Sequence, residues 1–199
     1  MARRFDVSPL IAFRVVTAIL FLATAYFTVS VQLRRGRLQS LGRDAIIASG
    51  TGVERVQVLD GDEVSVRAEG ETFIVRLLGV QCFDDKVYEP GIASHGAACR
   101  RAFERALDAG GLTIEFESFA RDVHGRVLAY LHAGGIDIGA HLIAEGLGVV
   151  RTSHAFGRET DYLALEQAAR ARGLGVWGDA RIVERINGLK SGWAEARSR

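Results

Sequence analysis

Only two prolines interrupt this chain, and no stretch of it is repeated or of low complexity, which excludes a disordered or repetitive protein. No glycine-rich phosphate loop and no Ser/His/Asp arrangement stands out, so nucleotide-loop and serine-hydrolase chemistry have no sequence support. Cysteine is as scarce: Cys82 and Cys99 are the two present, enough for one disulfide or for two small buried thiols. Together with His95 they would make a zinc site whose spacing fits no common pattern. His132 and His141 read as ordinary surface or satisfied histidines. Positive charge is also missing where a broad nucleic-acid surface would need it. Residues 50–180 hold 13 Lys and Arg against 20 Asp and Glu, a net of −7, whereas 1–49 and 181–199 are basic.

What is present begins with residues 15–33, 19 consecutive residues without a charge. At ~1.5 Å per residue such a run crosses a bilayer core of ~30 Å. It is bracketed by Arg14 and by Arg34, Arg35 and Arg37, and reads as a transmembrane helix, with a cleaved signal peptide as the alternative. The organisation expected is a basic segment 1–14, the anchor 15–33, a juxtamembrane linker 34–52, a domain 53–179 and an amphipathic tail 180–199. The tail carries Ile182, Ile186, Leu189 and Trp193 at helical spacing, and either packs on the domain or lies on the membrane.

Within the domain, residues 58–84 concentrate the charged residues in an apolar context. Val64 and Val66, then Phe73, Val75 and Leu77, alternate on either side of Glu69-Gly70 and predict a hairpin. With those two residues as the turn, Ala68 faces Glu71, Val66 faces Phe73 and Val64 faces Val75. Asp60, Asp62, Arg76 and Asp84 are thereby drawn to one locus. A guanidinium at Arg76, among apolar neighbours, requires an anion, which is either Asp62 in a salt bridge or a bound substrate. Further on, helices are predicted over 94–109, from an Asp137 cap to Gly146, and over 160–172. Strands are predicted over 54–59, 112–118 and 126–133. Five strands, one helix after the third and two more at the end suggest a small closed barrel of the α+β class.

The segments VLDGDEVSV, FIVRLLGV, HGAACRRAF, DVHGRVLAY, LIAEGLGVV and ARARGLGVWGD, in this order, resemble the staphylococcal-nuclease-like, or thermonuclease, domain family over about residues 54–179. The resemblance implies a five-stranded OB-fold-like barrel with three helices and metal-assisted hydrolysis of nucleic-acid phosphodiester bonds. It also implies calcium as cofactor, and a nucleic acid or small phosphodiester as partner. Arg76 and Arg126 would bind the phosphate and stabilise its transition state, Asp62, Gln81, the Cys82 carbonyl and Asp84 would hold the metal, and Asp84 would also serve as base. Asp60 and Asp122 would support them. Those residue types suit the chemistry, since calcium takes hard oxygens and guanidinium pairs with phosphate oxygens.

The sequence departs from the family pattern at Gln81-Cys82-Phe83-Asp84. Gln81 stands where the family has a metal-binding aspartate, and Asp84 where it has a glutamate one methylene longer. A displacement of ~1 Å can cost ~10²-fold in rate, so weakened activity is expected. His124, Thr152 and His154 stand near places where the family has aromatic residues. The rival expectation is a catalytically inactive OB-fold binding module of the cell envelope. In either case a single-pass membrane protein is expected, with its domain outside the cytoplasm and no identifiable protein partner.

Overall fold

The computed structural model of the chain describes residues 17, 20–29 and 47–198. The chain divides into two units, 1–43 and 44–199. The expected basic segment 1–14 lies outside the described residues, as do eight residues of the expected anchor 15–33 and most of the linker 34–52. Of the apolar run, residues 20–29 are helical, and among the described residues no helix is long and apolar enough to cross a membrane.

Among its described residues the second unit has nine strands: β1 (Thr51–Gly52), β2 (Glu54–Asp60), β3 (Glu63–Ala68), β4 (Glu71–Leu77), β5 (Val80–Gln81), β6 (Thr113–Arg121), β7 (Val127–Ala133), β8 (Ile136–Asp137) and β9 (Val149–Val150). Seven form one sheet in the order β1-β6-β7-β4-β3-β2 with β8 on β7, while β5 and β9 pair separately. The hairpin has the predicted register, with Ala68 opposite Glu71, Val66 opposite Phe73 and Val64 opposite Val75. Its turn residues Glu69 and Gly70 both have positive φ, 50° and 84°, the backbone twist that a two-residue hairpin loop requires. Strand β4 is interior, antiparallel to β3 on one side and parallel to β7 on the other.

The architecture is α+β, as expected, but a closed five-stranded barrel is not what forms. The first strand is broken at Val53, so that β1 pairs with β6 and β2 with β3, and the sheet begins and ends on neighbouring pieces of chain. Strands of two residues, such as β5 and β9, carry no periodicity that a sequence could reveal.

Among the described residues of the unit there are four α-helices, α1 (Pro90–Leu107), α2 (Ile138–Ala144), α3 (Glu159–Ala171) and α4 (Ala180–Arg197), and a short 3-10 helix, Gly175–Gly178. The Asp137 side chain caps α2 as expected, accepting from Ala140 N–H at 3.0 Å. The main core lies between the sheet and the inner faces of α1 to α3, and includes Val64, Val66, Val75, Phe103, Leu131 and Ile143. The expected tail is α4, and it packs: Ile182 and Ile186 are buried with Ile92, Val149, Ala169, Val176 and Trp177 in a second cluster. Beneath α4, the buried carboxylate of Glu166 accepts from Val150 N–H at 2.8 Å and pairs with Lys190.

Between β4 and β5, Gly79 turns the chain with φ +75°, and a Cβ placed there would lie 2.4 Å from the Phe156 ring. Gly79→Ala combines left-handed strain with overpacking, and should destabilise the full chain by about 2–4 kcal/mol. Urea denaturation reads this as a lower midpoint, and an unchanged midpoint would contradict the close approach.

Candidate active site

The β3–β4 register sets Glu63 directly opposite Arg76, and Asp62 O accepts from Leu77 N–H at 2.9 Å. Arg76 and Asp62 are both buried, at 7% and 1% exposure. The guanidinium donates to three acceptors: Glu63 Oε1 at 2.7 Å, Asp62 Oδ2 at 3.2 Å and Gln81 Oε1 at 2.9 Å. Asp62 Oδ2 also takes the N–H of Cys82 at 3.1 Å, so the end of β5 is tied to the start of β3. Burial pushes the Asp62 carboxyl up to about 6, against the opposing pull of Arg76 and the Cys82 N–H.

Arg126 arrives from the turn between β6 and β7. That turn is closed by Asp122, whose Oδ1 accepts from the N–H groups of His124 at 2.9 Å and Arg126 at 3.0 Å. Asp122 Oδ2 holds the Arg126 guanidinium through Nε at 2.6 Å. The other side of that guanidinium reaches the same Glu63 oxygen that Arg76 uses. For Asp122, burial pushes upward, but hydrogen bonds from the Arg126 side chain and from backbone N–H groups outweigh it, and the carboxyl lies below its usual value.

A second acidic group adjoins the first. Carboxylate oxygens of Asp60, Asp84 and Asp85 lie within 4.8 Å of one another. Asp60 accepts from Gly61 N–H at 2.7 Å, and burial first, then the charges of Asp84 and Glu63, raise its pKa. Asp84 is exposed, with Oδ1 accepting from Lys86 N–H at 2.7 Å. Asp85 pairs with Arg100 at 3.0 Å, and its Oδ1 is buried with no hydrogen-bond partner among the described residues.

Cys82 and Cys99 are joined in a disulfide with Cα atoms 6.5 Å apart, which pins the site loop to α1 and leaves no thiolate for zinc. Gly61 faces this bridge, and a Cβ on it would lie 2.8 Å from Cys82 Cβ. Only a residue without a side chain fits between Asp60 and Asp62.

The structure therefore gathers Asp62, Arg76, Gln81, Arg126 and Asp122 in one network and Asp60 and Asp84 in a neighbouring one. It does not turn the expected metal set into free ligands. Asp62 Oδ2 and Gln81 Oε1 accept from Arg76, and the Cys82 carbonyl accepts from Gln81 Nε2 at 2.8 Å. Two site residues escaped the sequence reading, Glu63 and Arg151. Glu63 was within reach, because the register that puts Asp62 beside Arg76 puts Glu63 opposite it. Arg151 depends on the β5–β9 ladder, which has no local signal.

Residues 74–179 match the family model described as staphylococcal nuclease homologue, a span that includes Arg76, Gln81, Asp84, Asp122 and Arg126 and begins after Asp60 and Asp62. The SPbeta prophage-derived endonuclease YokF of Bacillus subtilis (strain 168) is 27% identical over 126 residues, 61% of this chain and 42% of that protein. Endonuclease YncB of the same organism is 27% identical over 132 residues, 64% of this chain and 62% of that protein. The thermonuclease of Staphylococcus intermedius is 26% identical over 124 residues, 61% of this chain and 73% of that protein. The chain spans less than two thirds of the length of the two Bacillus relatives.

Arg76→Ala would leave the Asp62 carboxylate buried without a cation, and should destabilise the protein by about 3–5 kcal/mol in urea denaturation. A loss under about 1 kcal/mol would show that the ion pair does not hold the site together. For Asp122, whose folded pKa is lowered, the stabilisation is present above its ordinary value of 3.8 and is lost as pH falls through the lowered one. The stability difference between wild type and Asp122→Asn should thus be level near neutrality and shrink in acid. A difference that widens as pH falls would reverse the assignment.

Proposed function

Because the chain belongs to the staphylococcal nuclease homologue family, we propose that it is a phosphodiesterase that hydrolyses nucleic-acid phosphodiester bonds at the site formed by the start of β3, the end of β5 and the β6–β7 turn. One observation carries this reading: two guanidiniums from separate elements, Arg76 and Arg126, converge on a single carboxylate oxygen of Glu63. A phosphate oxygen has the same charge and the same acceptor geometry, and planar guanidinium is suited to it.

In the hydrolysis, Arg76 and Arg126 take the non-bridging oxygens and neutralise the charge that builds on phosphorus. A water oxygen forms a bond to phosphorus as the ester oxygen on the opposite side leaves with its bonding electron pair and takes up a proton from solvent. The proton of that water goes to the exposed carboxylate of Asp84, whose Oδ1 is held by Lys86 N–H. Calcium, implied by the family, does not fit the set Asp62, Gln81, Cys82 carbonyl and Asp84, because the first three already accept protein hydrogens and Gln81 brings no charge. The hard oxygens that suit such a cation are those of Asp60, Asp84 and Asp85, with the unpartnered Asp85 Oδ1 among them. Bound there, calcium would supply positive charge beside the phosphate.

The exchange of carboxylate for amide at Gln81 and the shorter Asp84 point to reduced turnover. They also keep a second reading in play, a silent binding module of the envelope, favoured by the turning of the Gln81 amide oxygen towards Arg76 and Arg151. The run 15–33 supports a single-pass membrane protein, and the disulfide supports a domain on the oxidising side.

The test uses the full chain in detergent, with short single-stranded DNA and RNA, with and without calcium. Cleavage should occur and fall by about 10²–10³-fold in Arg126→Ala. No cleavage by wild type, with cleavage gained in the double variant Gln81→Asp, Asp84→Glu, assigns the binding module instead. No cleavage by either, with folding intact, overturns the hydrolase.

A further inference from the structure

Arg151 follows β9 directly, and its N–H donates to Gly79 O at 2.9 Å, so the β5–β9 ladder fixes it beside Gln81. Its side chain is half-buried and donates to Ser153 Oγ at 3.1 Å and to Gln81 Oε1 at 3.4 Å. The Gln81 oxygen thereby serves two guanidiniums, those of Arg76 and Arg151. Arg76 and Arg126 are matched by Asp62, Glu63 and Asp122, whereas Arg151 has no carboxylate partner among the described residues.

A half-buried cation that shares a neutral acceptor with a second cation is an unfavourable arrangement when nothing anionic meets it. Asp62 and Asp122 act on Arg151 through their charge, but Arg76 and Arg126 act in the opposite sense. The missing anion is one that comes from outside the chain. We infer that Arg151 is a third guanidinium that contacts the substrate phosphate, beside Arg76 and Arg126, at the position opened by the neutral side chain of Gln81.

This inference rests on the nuclease reading of the cleft and adds a residue to it. Three guanidiniums around one phosphate group would hold it by charge-assisted hydrogen bonds that need no metal. Arg151 is also the one of the three that is not engaged with an internal carboxylate, so its contact with the phosphate displaces nothing of like charge.

The experiment measures binding of inorganic phosphate and of a single-stranded DNA tetramer to the full chain in detergent with EDTA present. Calorimetry compares wild type, Arg151→Ala, Arg151→Lys and Arg126→Ala, and thermal melting is followed on the same samples. Arg151→Ala should weaken both ligands about 10-fold with the melting temperature little changed, and Arg151→Lys should recover part of the affinity. If Arg126→Ala weakens binding and Arg151→Ala does not, Arg151 is no phosphate contact and the nuclease reading stands without it. If Arg151→Ala lowers melting and affinity together and Arg151→Lys restores only the melting, the residue acts through Gln81 and the inference fails. A wild-type chain that binds neither ligand overturns the phosphate site itself, and this inference with it.

Discussion

A guanidinium with 7% exposure cannot be left to water, and the site takes its shape from the need to answer the charge of Arg76. Arg76 stands on β4, a strand flanked on both sides, so its side chain can find acceptors only at the strand's end. The chain supplies them from two places: Asp62 and Glu63 at the start of β3, and Gln81 at the end of β5. Each of these then recruits something more. Asp62 fixes the Cys82 N–H, Glu63 draws in Arg126, and Gln81 meets Arg151. One buried charge thus organises elements more than 70 residues apart in sequence, at a cost in desolvation that the network offsets.

The hairpin and its contents were legible because alternation and a Glu-Gly turn define a register, and a register assigns neighbours. The same reasoning found Asp62 next to Arg76, whereas the second arginine, Arg126, and its partner Asp122 came from the family resemblance alone. The cap on α2 was readable from Asp137 alone. What could not be read depended on tertiary pairing. The β5–β9 ladder joins two dipeptides nearly 70 residues apart, and it decides where Arg151 goes. The short strand Thr51–Gly52, inside the expected linker, escaped too: it pairs with β6 while the expected strand beyond Val53 pairs with β3. The acidic trio escaped as well, because the orientation of Asp85 is set by its ion pair with Arg100 on α1, not by its position next to Asp84.

The proposed phosphate ligand is compatible with an acidic domain. A net of −7 over residues 50–180 repels a long polyanion, yet a single phosphate group samples the local arrangement, where Arg76, Arg126 and Arg151 converge. The neutral side chain of Gln81 acts in the same direction. An amide in place of a carboxylate lowers the local negative charge and makes the cleft depend more on its arginines. The disulfide between Cys82 and Cys99 and the bare backbone of Gly61 then hold the loop that carries these changes against α1.

Glu166 places the limit of the folding unit elsewhere than similarity does. The match to the family ends at residue 179, but the carboxylate of Glu166, inside the match, is buried and has its cation, Lys190, outside it. Val150, which donates to Glu166, immediately precedes Arg151. A protein trimmed to the boundaries of its family would carry a stranded negative charge under the strand that feeds the cleft. The last helix is therefore a structural part of this domain, because it supplies the cation that the buried carboxylate of Glu166 requires.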